Sequence, residues 1–558
     1  MAKNEPNLRE RMLFAVSPKR GNEAYAKRMR KETAGQQDRG PGQQDRGPGR
    51  TGTGGARMSY GNHGASTTLN SMIGWRVDGG NAEDQIDLYS STLRKRSRDL
   101  FAGGGLGRSG PNTLATSVVG WGIIPKPKID WEFLGMSEEQ AEEAERAILR
   151  EWKLWAENPM CDATRMENFY GMQMLAFLSF LVSGDDLALF GMKPNPRTPY
   201  QTVIRIIEAD RLSTPNSSGD SVSEETTGGG RIIDGVEIDR EGAVIKYHIA
   251  SRNPEAENDN GELTWTAIDA FGKDTGMPNV LHVMTAERPE QRRGVPFVAS
   301  EIEQLKSLDR YLKSELAANV VSAMLTAFIT TKEDDGQDAI TDSISEEDKV
   351  TDDDYRIELG AGAIYTLPPG KHIETVVPVR QTSAFQSFVD TYMMLTGAGE
   401  GIPKEVLIKK YDSNYTASRA ALLDFWRTVR VYRTRFNYQF NQPIYEAFLS
   451  EAVALGRIEA PGFFDDPAIR QAWCGCLWMG ASMGHVDPLK EVKAASTRIA
   501  NNISTQEQEA AEYNGNDWNA NVRQRRKELE AMKDLQGIIQ EAIEDGDGDP
   551  VIEEEEET

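Results

Sequence analysis

The stretch Val298 to Thr330, VASEIEQLKSLDRYLKSELAANVVSAMLTAFIT, decides the architecture. Its apolar residues Ile302, Leu305, Leu308, Leu312, Leu316 and Val320 recur every three or four positions, which predicts one face of a helix of about thirty residues. A second pattern of this kind starts at Thr416, where Leu422, Phe425, Val429, Tyr432, Phe436 and Phe440 share a face and Arg419, Arg427, Arg430, Arg433 and Arg435 lie on others. Helices this long in a mixed domain take their stability from partners packed along their length. Between the two lies Lys332 to Asp354, with 11 acidic and 2 basic residues, then the strand-like segments Tyr355 to Leu359 and Ala363 to Leu367, closed by Pro368-Pro369-Gly370. That is a protrusion with a strongly negative loop. A shorter helix, Ser383 to Thr396, runs into Gly397-Ala-Gly-Glu-Gly401 and the polar stretch Lys404 to Tyr415, which reads as a mobile, lysine-bearing loop.

Upstream, helical and strand patterns alternate. Ser137 and Gln140 form a capping-box signature for a helix to Ala156 that puts Ala141, Ala144, Ile148, Trp152 and Trp155 on one face. Strand patterns follow at Thr202 to Ile207 and Val236 to Ile249, and Asn279 to Met284 reads as a buried strand. The expected fold class is α+β.

The 558 residues exceed one compact core, so several domains or an extended subunit buried by neighbours are expected. A net charge of −24 argues against a protein that wraps nucleic acid through a basic face, because that binding needs clustered cations. It leaves room for a surface that DNA slides past. The ends differ in sign: residues 1–57 carry 13 Lys/Arg against 6 Asp/Glu, and Glu541 to Thr558 carry 10 acidic residues and no cation. Within the basic arm Gly-Gln-Gln-Asp-Arg-Gly-Pro occurs twice, from Gly35 and from Gly42. Both ends are expected to be disordered. The arm is either a solvated tail or a contact for nucleic acid or an acidic scaffold. Three cysteines, Cys161, Cys474 and Cys476, fit a reducing compartment better than a disulfide framework. No signal-peptide core is present, and the longest mostly apolar stretch, Leu316 to Ile329, is too short to span a bilayer, so a soluble protein made in a cytoplasm is expected, with no membrane partner.

Motifs that would carry chemistry fail on context. Gly105, Gly107 and Gly110 spell a dinucleotide fingerprint, but they follow the basic helix pattern Leu93 to Leu100 and no βαβ unit surrounds them. Gly480-Ala-Ser482-Met-Gly484 resembles a nucleophile elbow, but no histidine follows His485 to serve as base, so Ser482 as a hydrolase nucleophile is the lesser alternative. Cys474, Cys476 and His485 fall one ligand short of a structural zinc site. His63, His248, His282, His372 and His485 are scattered singly, and Asp185-Asp186 has no companion cluster in the sequence. There is no Walker A motif. No cofactor, metal site or catalytic residue is expected, and the chain reads as no enzyme.

An ordered set of segments resembles the lambda-type family of tailed-phage portal proteins. It comprises Ser91 to Leu100 with Asn112 to Gly122 (NTLATSVVGWG), Trp152 to Ala156 with Cys161-Asp162-Ala163, Ile207 to Pro215, Gly235 to Asp239 with Tyr247-His-Ile249, Val280 to Val283 with Glu287 to Pro296, and Val486 to Ala495. The resemblance covers about residues 60–535. Departures are Gly103-Gly-Gly105, the repeated arm and the Glu-rich tail.

The resemblance implies a portal fold with wing, stem helices, clip and helical crown, assembled as a ring, most simply a dodecamer, with another ring-forming capsid or connector component as the alternative. Mapped by order, residues 1–57 are the arm, 58–297 the wing, 298–330 the first stem helix and 331–379 the clip. Residues 380–396 are the second stem helix, 397–415 a tunnel loop, 416–486 a channel helix and further wing, 487–535 the crown, and 536–558 an acidic disordered tail. Such a ring sits at one capsid vertex of the virion, is assembled in the host cytoplasm, nucleates the procapsid with major capsid protein and scaffold, docks the terminase large subunit, holds head-completion proteins and passes double-stranded DNA without sequence readout during packaging and ejection. Lys404, Lys409 and Lys410 are the expected DNA-channel contacts, as cations that touch a phosphate backbone. Glu333, Asp334, Asp335, Asp338, Asp352, Asp353 and Asp354 are the expected docking residues for a more basic terminase.

Overall fold

The computed structural model describes residues 79–215, 223–226, 229–256, 262–323, 327–331, 371–375, 383–411, 415–483, 488–514 and 518–544. The chain divides into a unit Met1–Gly79 and a unit Gly80–Thr558, and every element below belongs to the second. The repeat-bearing arm, the acidic loop 332–354 with the strand-like segments after it, and residues 545–558 lie outside the described residues.

Helices α1 (Ser90–Ala102) and α2 (Leu106–Val118) lead to a short strand β1 (Ile124–Pro127) and to α3 (Glu138–Ala156). The capping box at the head of α3 is present in both halves: the Gln140 amide N–H donates to Ser137 Oγ at 3.3 Å, and the Ser137 N–H donates to Gln140 Oε1 at 3.0 Å. Of the expected apolar face, Ala141, Ile148, Trp152 and Trp155 are buried and Ala144 is half-buried. The Trp152 ring lies 5.1 Å from Phe169 on α4 (Phe169–Ser183) and 5.2 Å from Phe448, both edge-on. Trp155 Nε1 donates to the Thr202 carbonyl at 2.9 Å, so the one polar atom of that ring is satisfied inside the core.

Two antiparallel sheets follow. β2 (Asp185–Met192) is flanked by β3 (Thr202–Ile207) and β9 (Val280–Met284). The second sheet is a meander of β4 (Ser223–Glu225), β5 (Arg231–Ile233), β6 (Val236–Ile238), β7 (Val244–Ala250) and β8 (Trp265–Asp269). The strand pattern Val236 to Ile249 is thus a hairpin rather than one strand. Asp239 turns it, accepting from the N–H groups of Glu241 (2.9 Å) and Ala243 (2.8 Å), a local bond that competes with the ladder.

The stretch Val298 to Thr330 is shorter as a helix than its periodicity predicts. A single 3₁₀ turn, Ala299–Glu301, leads into α5 (Ile302–Ala323), and Ala327–Thr331 is a strand, β10, paired antiparallel with β11 (Lys371–Thr375). Phe328, Ile329, Thr330 and Thr331 are aromatic or β-branched and fit a pleated ladder better than a helix end.

The next helix, α6 (Ser383–Glu400), continues four residues past Thr396 through the glycines. After α7 (Lys404–Ile408), α8 (Tyr415–Phe436) runs through one π turn, Asn437–Asn441, into α9 (Gln442–Ala454). Pro443 has no N–H to donate, so the regular ladder cannot continue through it, and the π turn precedes it. Asn441 and Gln173 are buried there and bonded to each other at 3.0 Å, while Gln173 also satisfies both backbone groups of Ile123.

A last strand, β12 (Cys476–Met479), returns to pair antiparallel with β1. Helices α10 (Pro488–Ala500), α11 (Gln506–Asn514) and α12 (Trp518–Glu544) complete the unit. α12 carries helix to Glu544, so the first part of the tail expected to be disordered from residue 536 is helical. No described helix is long and apolar enough to cross a membrane.

Candidate functional site

The two long helices that lead to and from β10 and β11 meet the body at one junction. α5 and α6 are zipped by aromatic rings: Tyr311 lies 4.7 Å from Phe388 and 5.8 Å from Phe385, and Phe388 lies 4.7 Å from Tyr392. At the body end Glu301 enters from the turn before α5 and Glu400 from the end of α6, with 6% and 4% of their surface exposed. Each carboxyl lies against a helix backbone where a glycine makes room. A Cβ on Gly110 would stand 2.5 Å from Glu400 Oε2, and one on Gly399 would overlap Glu301 Oε1. Among the described residues both Glu400 oxygens and Glu301 Oε2 have no hydrogen-bond partner. Burial, and then the charge of Glu301, push the Glu400 carboxyl up to about 8, so it carries its proton at neutral pH.

The segment after α6 corrects the mobile-loop expectation. Ile402, Val406 and Leu407 are buried in the main core, the Ile402 N–H donates to the Gly397 carbonyl at 2.8 Å, and Ser109 Oγ donates to the Leu407 carbonyl at 2.7 Å. The apolar residues hidden among the lysines dock α7 onto α2. Of the three expected channel lysines, Lys404 is half-buried with its Nζ 3.1 Å from Asp390 Oδ1 on α6. Lys409 and Lys410 are exposed at the C-terminal end of α7, where Lys409 takes the left-handed conformation (φ 55°) that caps the helix. Cations at that end suit the helix dipole. The fold therefore separates Lys404 from the other two. Glu333, Asp334, Asp335, Asp338, Asp352, Asp353 and Asp354 lie outside the described residues.

Sequence reasoning missed the charge network that anchors the approach to α5. Arg293 is fully buried. Its guanidinium donates to Asp185 Oδ2 (2.6 Å) and to the carbonyls of Leu212 (2.7 Å), Ala209 (2.8 Å) and Asp234 (2.9 Å), and it lies 2.8 Å from Asp234 Oδ2. Arg94 on α1 adds a bond to Asp210 at 2.9 Å, and Arg98 reaches the same carboxylate. Burial alone would raise Asp185, but Arg293, His282 and Arg94 hold it well below the usual carboxylate range. Its neighbour Asp186 goes the other way: burial and the adjacent Asp185 charge push it well above that range. The Asp185-Asp186 pair thus has companions after all, drawn from distant parts of the chain, and its role is structural. Next to it Gly294 backs onto Gly184 so closely that a Cβ on Gly294 would overlap the Gly184 carbonyl.

The motif candidates take structural places. Gly105 precedes α2 after a helix and a turn, with no strand before it. β12 belongs to a two-stranded antiparallel ribbon, so Ser482 lacks the strand-to-helix turn of a nucleophile elbow, and Arg433 donates to the Ala481 carbonyl beside it at 2.8 Å. Burial pushes the Cys161 and Cys474 thiols up to about 12, which disfavours the thiolate a metal or a nucleophilic role requires. Among the described residues no three His, Cys, Asp or Glu side chains converge as metal ligands.

Antiparallel sheets wrapped by helices, and a zipped helix pair rooted in that body by buried charge, define a protein of mixed helix and sheet. The chain belongs to the family described as phage portal protein, lambda family, whose sequence pattern matches residues 68–433. Portal protein B of Escherichia phage lambda is 24% identical over 441 residues, covering 76% of this chain and 80% of the lambda protein. The portal protein of Escherichia phage N15 is 23% identical over 482 residues, covering 82% and 88%. These matches bear out the resemblance read from the ordered motifs. Among solved structures, a chain of the virion of a native gene transfer agent particle overlays with a TM-score of 0.40 at 12% identity, covering 69% of this chain and 93% of that one. A chain of the neck of that particle, computed with C12 symmetry, gives 0.39 at 12%, covering 75% and 92%.

Proposed function

We propose that this chain is the subunit of a DNA-conducting portal ring, a dodecamer at the unique capsid vertex. The observation that carries the reading is family membership over residues 68–433, together with relatives aligned over most of their own length. In this reading residues 58–297 form the wing, and α5 and α6 are the stem, with the first stem helix ending at Ala323 rather than near residue 330. Residues 331–379 form the clip, 397–415 the tunnel segment, 416–486 the channel helix and further wing, and 487–535 the crown. Lys409 and Lys410 are the exposed tunnel cations that would meet a passing phosphate backbone, whereas Lys404 holds α7 to α6.

The ring nucleates the procapsid with the major capsid protein and scaffold, receives terminase at the clip, and later holds head-completion proteins. The acids from Glu333 to Asp354 favour a basic terminase surface by charge complementarity. Replacing Glu333, Asp334, Asp335, Asp338, Asp352, Asp353 and Asp354 by Asn or Gln is expected to weaken terminase binding and DNA packaging while rings still form. Intact packaging by that variant sinks the docking role.

A further inference from the structure

The hydroxyls at the root of the α5–α6 pair divide into two kinds. On α6 Thr391 Oγ1 donates to the Ser387 carbonyl, and on α2 Thr116 Oγ1 and Ser117 Oγ donate to the Asn112 and Thr113 carbonyls, all at 2.8 Å, the ordinary bond of such residues to their own helix. Thr396 on α6 and Thr113 on α2 make no such bond. They are 1% and 8% exposed, and among the described residues neither hydroxyl has a hydrogen-bond partner. Both stand beside the buried carboxyl pair. Thr396 lies one turn before Glu400 on the buried face of α6, and Thr113 lies one turn after Gly110, the glycine against which Glu400 packs. On α5 Gln304, one turn after Glu301, has a buried Oε1 that also lacks a partner among the described residues. No Lys, Arg or His among them pairs with Glu301 or Glu400.

We infer that Glu301 and Glu400, with the side-chain oxygens of Thr396, Thr113 and Gln304, form a site for a divalent cation of the calcium class where α5 and α6 meet α2. The groups on offer are oxygens alone, two carboxyls and three neutral atoms, which is the donor set of a hard cation and not of zinc or copper. Two carboxylates match the charge of one divalent ion. Without the ion the Glu400 proton keeps two buried negative charges from meeting, and a cation in its place lets both carboxylates ionise. Calcium takes about six to eight oxygens in variable geometry, whereas magnesium keeps several of its waters, and carboxyls only 6% and 4% exposed leave those waters little access. Gly110 and Gly399 keep the backbone clear of the carboxyls that would turn toward the ion. Because its ligands come from α2, α5 and α6, the cation ties the helix pair to the body. The inference stands on these side chains and does not depend on the portal reading.

The test uses the full chain in its assembled form, stripped with a chelator, exchanged into chelator-free buffer and titrated calorimetrically with calcium chloride or magnesium chloride. Physiological ionic strength screens the exposed acids, which hold either ion only weakly. One saturable calcium per chain is expected, with magnesium roughly tenfold weaker or more. The variant E301Q/E400Q keeps the shape of both side chains and should lose calcium affinity by roughly tenfold or more, and T396V, which removes one neutral oxygen at nearly constant volume, should lose it severalfold. Glu143→Gln, at an exposed carboxylate of α3, should bind as the unaltered chain does. No saturable calcium uptake, magnesium held as tightly as calcium, or unaltered affinity in either E301Q/E400Q or T396V overturns the inference. Should the double variant fail to fold, T396V alone decides it.

Discussion

Arg293 and Glu400 are both buried ionisable side chains beside the helix pair, and they are treated in opposite ways. Around Arg293 the accounting of hydrogen bonds closes: two carboxylates and three carbonyls surround one guanidinium, and the charge stays on because every donor has somewhere to point. Around Glu400 it stays open. A second carboxyl approaches, two oxygens lack donors, and the side chain keeps its proton instead. The first arrangement is a latch that fixes how the chain enters α5. The second is a soft point, whose stability depends on a proton, where α5 and α6 meet α2.

The contrast predicts a ranking of effects. Arg293→Met takes the nearest cation from Asp185 and Asp234, leaving Arg94 at 3.9 Å from each, and should cost about 3–5 kcal/mol in chemical denaturation, because a buried pair broken on one side strands a charge. A loss under about 1 kcal/mol would mean that the network relaxes freely.

Next in size is a pH effect at Glu400. Its folded value of about 8 lies above the ordinary 4.5, so the stability it contributes is fully present below about pH 4.5 and is lost as pH rises to about 8. The unfolding free energy of the unaltered protein should fall across that window by about 4 kcal/mol, and Glu400→Gln should flatten the fall. The latch has the opposite sign: Asp185 is depressed, so its contribution is present above the ordinary carboxylate value and lost as the solution is acidified. Equal pH profiles for Glu400→Gln and the unaltered protein would break the comparison.

A smaller effect is expected from Gly110→Ala, whose new methyl meets the Glu400 carboxyl. It should cost about 1–3 kcal/mol, and less in a Glu400→Ala background, where a double-mutant cycle reads the coupling. Smallest of all, Ser482→Ala should stay within about 0.5 kcal/mol and leave assembly unchanged.

Local signals were legible in the sequence. The capping box and the Trp152/Trp155 face of α3 read correctly, as did β3 and the buried strand at Val280, because periodicity and caps act within one turn or one strand. What escaped depends on distant residues. The partners of the Arg293 side chain lie up to 108 positions away, so nothing near Arg292-Arg293 marks it as a core residue. Nor did the polar run after Glu400 advertise a docked helix, since Ile402, Val406 and Leu407 are sparse among lysines and become visible only against α2. The end of the long helix was overcalled because β10 continues the apolar count while changing its period, and its partner β11 lies forty-odd positions downstream, about 44.

Assembly around a central channel is what we propose for this lambda-family portal chain. Electron microscopy of the purified full chain measures that most directly. Closed rings with a central hole are expected, twelve-fold when averaged without imposed symmetry. Monomers or compact particles without a hole, at concentrations where the chain is folded, would contradict it.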